Sequence, residues 1–203
     1  YLREPLLKLA DELVSSDIVE EIGKLHPNET YVSADLSDLP AMIELLKGAD
    51  LVVHFGAIGD EAPFDEILQA NIVGAYNIWE AAYQNGVKRV VYASSIHAVG
   101  MHKKTDFIGT NVPHRPDTYY GLAKCFAEDL ASLYWDKRGL ESVCMSVSVI
   151  PPGTTILSSD ELVVRCQLAR VAVYEEHIAI MDDSLGMDIT MNSVDLFVYD
   201  HQV

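Results

Sequence analysis

A chain of 203 residues, 49% of them hydrophobic, with a mean hydropathy of +0.12, carries enough apolar side chains for one domain with a sizeable core, which argues against disorder. Fourteen basic against 31 acidic residues give a net charge of −17, which speaks against nucleic-acid or anionic-membrane partners and reads as an acidic enzyme, with adaptation to salt as the other reading. Cys125, Cys144 and Cys166 are odd in number and widely spaced, as expected of reduced thiols in a cytoplasmic protein without a metal site; no apolar run approaches the roughly 20 residues of a membrane helix, and there is no signal peptide.

In chain order, Leu2, Leu6, Leu7, Leu9 and Leu13 recur at near-helical spacing and predict that the chain opens in a helix. A short strand is expected to end at Ser15-Ser16-Asp17, and another, Tyr31-Val32-Ser33, leads into Asp35-Leu36. Leu39 to Lys47 reads as helix closed by Gly48. Leu51-Val52-Val53-His54-Phe55 is a compact apolar run of the kind buried on both faces of a parallel sheet. Phe64 to Asn85 reads as one long helix stopped by Gly86. Val87 to Ala93 is the next strand, His97 to Asp117 a loop, Thr118 to Lys137 a helix ended near Gly139, and Ser142 to Val149 a strand broken by Pro151-Pro152-Gly153. Beyond it, Asp160 to Val173 reads as helix with Ser158 or Ser159 as N-cap, and 178–180 and 196–199 as short strands. This alternation predicts an α/β fold with a doubly wound parallel sheet, Rossmann-like. Residues 1–155 are expected to form the dinucleotide-binding domain and 156–203 a small C-terminal segment on the substrate side.

In such a sheet, ligands bind beyond the carboxyl ends of the strands, where Asp17, Asp35, Gly56, Ser95 and Ile150 fall. A carboxylate at Asp17 suits an adenosine ribose and repels a 2′-phosphate, favouring NAD over NADP; the other reading is a solvated loop aspartate. Tyr120 and Lys124 are four apart on a helix and share a face. A phenol ionises only near pH 10, and a neighbouring ammonium is expected to lower that value, making Tyr120 a candidate general base. Ser95, at the tip of the preceding strand, is placed to hydrogen-bond the reacting oxygen. Asn71, mid-helix, is either an ordinary helix asparagine or a partner for backbone groups beside the site. His97 lies two residues past Ser95, within reach of a substrate, whereas His54 reads as structural and Tyr119 as packing. His114 and Arg115 precede the helix, facing either an anionic substrate or solvent.

These segments together resemble the extended short-chain dehydrogenase/reductase superfamily, its NAD-dependent epimerase/dehydratase group, with the uronate dehydrogenases as the nearest set. The matching stretches are Val14-Ser15-Ser16-Asp17-Ile18, Ala34-Asp35-Leu36, His54-Phe55-Gly56-Ala57-Ile58, Pro63 to Asn77, Tyr92 to Gly100 and Arg115 to Lys137, within roughly residues 2 to 165. The resemblance implies catalysis by Ser95, Tyr120 and Lys124. It implies NAD held by Asp17, Ile18, Asp35, Leu36, Phe55, Gly56, Ala57 and Asn71 together with Tyr120 and Lys124, and a sugar contacted by Ser95, His97 and Tyr120. The implied reaction oxidises C1 of a cyclic hexuronic acid to its lactone. A sugar-nucleotide epimerase or dehydratase, and a catalytically silent Rossmann-fold binding protein, are the alternatives. The group also has a first strand and a glycine-rich turn holding the pyrophosphate, and this sequence is expected to start after them. Its members commonly pair through the helices matching Phe64–Asn85 and Thr118–Lys137, so a homo-oligomer is expected.

Overall fold

The computed structural model describes residues 2–103 and 112–147. Residues 104–111 of the expected loop, residues 148–149 of the last strand, Ile150, Cys166, the boundary after residue 155 and the helix and strands expected beyond it lie outside the described residues. The described residues contain five parallel strands. β1 (Leu13–Asp17) pairs with β2 (Glu29–Ser33), Leu13 opposite Glu29 and Asp17 opposite Ser33. β3 (Leu51–His54), β4 (Arg89–Ser95) and β5 (Glu141–Val147) form a second sheet in that order, Ser95 lying opposite Val147. Helices lie on the connections from β2 to β3, β3 to β4 and β4 to β5, while residues 18–28 between β1 and β2 contain none. These helices are α2 (Leu39–Leu45) before β3, α3 (Phe64–Ile67) and α4 (Gly74–Asn85) before β4, and α5 (Tyr119–Arg138) before β5. Rossmann-like α/β architecture is therefore what the alternation of elements produces.

One apolar core joins these layers. Met42 and Leu46 from the α2 end, Ile78, Trp79 and Ala82 from α4, and Ala127, Leu130 and Tyr134 from α5 close on Val52, Val90, Tyr92 and Cys144 of the strands. The Trp79 indole N–H donates to Ser142 Oγ at 3.0 Å, so this fully buried ring keeps its polar atom satisfied. Cys125 and Cys144 are buried, and Cys125 Sγ donates to the Ala98 carbonyl at 3.4 Å.

Several elements depart from the sequence pattern. The opening helix, α1, covers only Arg3–Leu7, and Leu13 begins β1 instead of continuing it. Clasping side chains set this end: Arg3 donates to Glu29 at 2.5 and 2.7 Å, and Glu29 also accepts from Ser15 Oγ and the His26 amide. The expected helix 64–85 is not regular, because a π-helical turn, Leu68–Val73, separates α3 from α4. At its end Gly74 lies against Leu36, where a Cβ would come within 2.8 Å of the Leu36 Cβ. β4 runs to Ser95, so Ser94 and Ser95 belong to the strand and do not follow it. The expected loop opens with a 3₁₀ turn, Ile96–Val99, capped by the Ser95 hydroxyl accepting from the His97 amide at 3.2 Å. α5 matches its expected bounds to within a residue: Thr118 Oγ1 caps it by accepting from the Gly121 amide at 2.8 Å, and Gly139 ends it at φ +69°.

Candidate active site

The parallel register of β4 and the N-terminal turns of α5 meet at one place. Ser95 is buried at the tip of β4, and its hydroxyl hydrogen-bonds the phenol of Tyr120 on the first turn of α5. One turn further along the helix, Lys124 is 2% exposed; its Nζ donates to the Ala93 carbonyl at 2.7 Å and lies 5.2 Å from the Tyr120 ring centre and 4.7 Å from that of Tyr92. The structure thus brings together the serine, tyrosine and lysine that the sequence singled out.

Their electrostatics differ from the expectation in one respect. The Tyr120 phenol sits above its ordinary value, not below it: burial raises it, the Ser95 hydrogen bond pulls it down, and nearby Asp60 pushes it up. Lys124, for its part, is brought down to about 8 by burial, against which Cys144 and Glu128 act. Burial therefore acts on both members of the pair toward the uncharged form.

Glycine makes the closeness of the elements possible. A Cβ on Gly121 would come 2.3 Å from the His97 carbonyl oxygen, so α5 can seat against the 3₁₀ turn only with glycine there. On that turn, His97 Nδ1 is 2.9 Å from Asp117 Oδ1, and its ring meets Tyr120 edge-on at 5.8 Å. Asp117 thereby fixes which way the imidazole faces. Glu61, from the loop after β3, accepts the Tyr119 and Tyr120 amides at 3.1 and 3.0 Å, capping the helix across 58 residues of chain. Sequence reading missed Glu61 and Asp117. The only signal for Asp117 was its place just before the Thr118 cap, and nothing local signals Glu61. Tyr119 is half exposed and packs on Phe64 at 5.3 Å, and His54 is fully buried against Trp79 and Tyr92. His114 is turned inward onto Glu128, not toward solvent, while Arg115 engages the 3₁₀ turn through its backbone.

The remaining predicted residues line the carboxyl ends of β1, β2 and β3. Asp17 is exposed and accepts from the Ile18 amide at 2.7 Å. Asp35 is also exposed, its carboxylate accepting from the Ser37 amide and hydroxyl, which hold its pKa below the ordinary carboxylate value and favour the ionised form. Leu36 lies against Gly56 at the exit of β3, and its carbonyl accepts from Asn77 at 2.8 Å, tying the exit of β2 to α4. Phe55 and Ala57 are partly buried beside it. Asn71 is buried in the π turn and grips Ile58 twice, accepting from its amide at 2.8 Å and donating to its carbonyl at 3.0 Å. The π turn is what aims it there. The donor set fits a dinucleotide, with exposed carboxylates for ribose hydroxyls at two strand ends and a buried ammonium beside the phenol. Among the described residues no cluster of histidine, cysteine and carboxylate side chains could hold a metal ion.

The model of the NAD dependent epimerase/dehydratase family matches residues 9–153. A uronate dehydrogenase of Pseudomonas putida is 40% identical over 169 residues, covering 80% of this chain and 63% of that one. The crystal structure of a glucuronic acid dehydrogenase from Chromohalobacter salexigens superposes with a TM-score of 0.72 at 45% identity, covering 76% of this chain and 58% of the other. A variant uronate dehydrogenase from Agrobacterium tumefaciens, complexed with NAD, gives a TM-score of 0.67 at 43% identity, covering 70% and 53%. The chain thus spans less than two thirds of the length of each relative.

Proposed function

Because the chain belongs to the NAD dependent epimerase/dehydratase family, we propose that it is an NAD-dependent oxidoreductase that oxidises C1 of a cyclic hexuronic acid to its lactone. The observation that carries this reading is the set of buried Ser95, half-buried Tyr120 and buried Lys124, in which a hydroxyl, a phenol and an ammonium converge at the tip of β4. The likeness to uronate and glucuronic acid dehydrogenases supports the substrate class.

When bound, the nicotinamide of NAD supplies the acceptor for the hydride leaving C1. Asp17 and Asp35 are the carboxylates available to adenosine hydroxyls, with Ile18, Leu36, Phe55, Gly56 and Ala57 forming the adjoining strand-end surface and Asn71 holding the loop at Ile58 in place. Ser95 holds the sugar hydroxyl, and Tyr120, as phenolate, takes its proton as the C1–O bond becomes a carbonyl. Lys124 favours that phenolate, and His97, steered by Asp117, faces the sugar. No helix among the described residues is long and apolar enough to cross a membrane. A cytoplasmic homo-oligomer joined through α4 and α5 accords with exposed Tyr76, Tyr83, Leu122, Phe126 and Leu133 on those two helices.

The test is NADH formation at 340 nm with galacturonate and glucuronate. Turnover that drops about 10³-fold in Tyr120→Phe, with the circular dichroism spectrum unchanged, supports the reading. Full activity in that variant rejects Tyr120 as the base, and absence of turnover and of NAD binding favours the silent binding protein.

A further inference from the structure

We propose that Glu128 is the positioning residue that keeps the Lys124 side chain charged inside the core, its carboxylate held in place by Ser94 and His114. The proposal rests on the reading of Tyr120 and Lys124 as a proton-transfer pair.

Glu128 is 6% exposed, one turn beyond Lys124 and two beyond Tyr120 on the same face of α5. A buried carboxylate survives only when its oxygens are occupied. Here Ser94 Oγ donates to Oε1 at 2.5 Å and His114 Nε2 lies 2.9 Å from Oε2, while His114 Nδ1 is 3.5 Å from Asp129. Ser94 neighbours Ser95 on β4, so the same carboxylate also ties that strand tip to the helix.

The titratable groups facing Lys124 come from every element around it: His54 on β3, Tyr92 on β4, Cys144 on β5, and Tyr120 and Glu128 on α5. Burial holds the His54 imidazole neutral and pushes the Tyr92 phenol and Cys144 thiol up, so these remain uncharged near neutrality. Glu128 is the carboxylate among these described groups. A buried ammonium lacking an anion loses its proton, and with it the means to favour the Tyr120 phenolate.

The measurement is the titration of Lys124 by carbon-13 NMR in protein labelled at lysine Cε, the signal assigned by its loss in Lys124→Met. In Glu128→Gln the midpoint is expected to fall by about one pH unit. In Glu128→Asp, which keeps the charge but draws it back, it should fall less. A packing or hydrogen-bonding role gives the opposite order, since glutamine is the closer shape. An unchanged midpoint in Gln, or an Asp midpoint below that of Gln, overturns the proposal. If the Gln variant does not fold, an Asp midpoint at or above wild type overturns it, and one below wild type supports it. In the NADH assay the alkaline limb of kcat should move down with the midpoint while KM changes less than twofold; a fall in kcat with an unmoved limb counts against it. A shifted midpoint with no turnover on any hexuronate condemns the substrate reading and leaves the Glu128–Lys124 coupling standing.

Discussion

The sheet β3-β4-β5 and the pair β1-β2 are built from the same kind of short parallel strand, yet one is interior and the other is surface. In β4, Val90, Tyr92, Ala93, Ser94 and Ser95 are all buried, whereas in β1 no residue is and in β2 only Glu29. In the first region burial shifts the ionisation of Tyr120 and Lys124, the pair proposed to move a proton. In the second, Asp17 and Asp35 stand exposed at strand ends, the carboxylates proposed for ribose hydroxyls. The first region rests on the apolar core, while the second is clasped by Arg3, Glu29 and Ser15.

The two regions should therefore fail differently in acid, and the larger loss belongs to the interior. Burial lowers His54 from 6.5 to about 3, so the unfolded chain takes up a proton that the folded one refuses. A depressed folded value means stability fully present above pH 6.5 and lost as pH falls toward 3, amounting to roughly 4 kcal/mol. Urea unfolding from pH 7 to 4 should show this slope, and His54→Leu should flatten it. A wild-type slope in that variant would mean that another group carries the acid response.

The interior was also the more legible part. Thr118, Gly139 and the spacing of Tyr120 and Lys124 placed α5 and its reactive face, because caps and helical periodicity are local signals. The apolar runs at Leu51 and Arg89 marked β3 and β4 for the same reason. What escaped was non-local. Leucine spacing mimicked a helix through Leu13, where pairing with Glu29 makes a strand. The π turn at Leu68–Val73 depends on Gly74 meeting Leu36, and the Glu61 cap on α5 spans 58 residues. Glu128 reads as an ordinary helix-surface acid until Ser94 and His114 are seen around it.

Next in size is the clasp. Glu29 is brought from 4.5 to about 2, first by the Arg3 hydrogen bond, so its contribution is present above pH 4.5 and lost as pH falls through 2. Arg3→Met leaves the carboxylate buried with Ser15 and the His26 amide alone, at a cost of about 2 kcal/mol. Hydrogen exchange should then quicken at Ser15 and Tyr31 and stay slow at Val90 and Tyr92. Equal acceleration in both places would mean the regions unfold as one unit and would break the comparison.

The sharpest version of the comparison holds the residue type fixed. Val90 in β4 is 0% exposed and Val32 in β2 is 41% exposed, and each sits within a parallel ladder. Removing two methyl groups at Val90 opens a void between α4, α5 and the sheet, and Val90→Ala should cost about 2.5 kcal/mol. The same change at Val32 takes away surface already wet and costs under about 1 kcal/mol, mostly strand preference. Chemical unfolding of the two variants measures both. A Val32→Ala cost equal to that of Val90→Ala would show that the β1-β2 pair is packed as tightly as the interior sheet, and the division between a buried region and a solvated one would have to be redrawn.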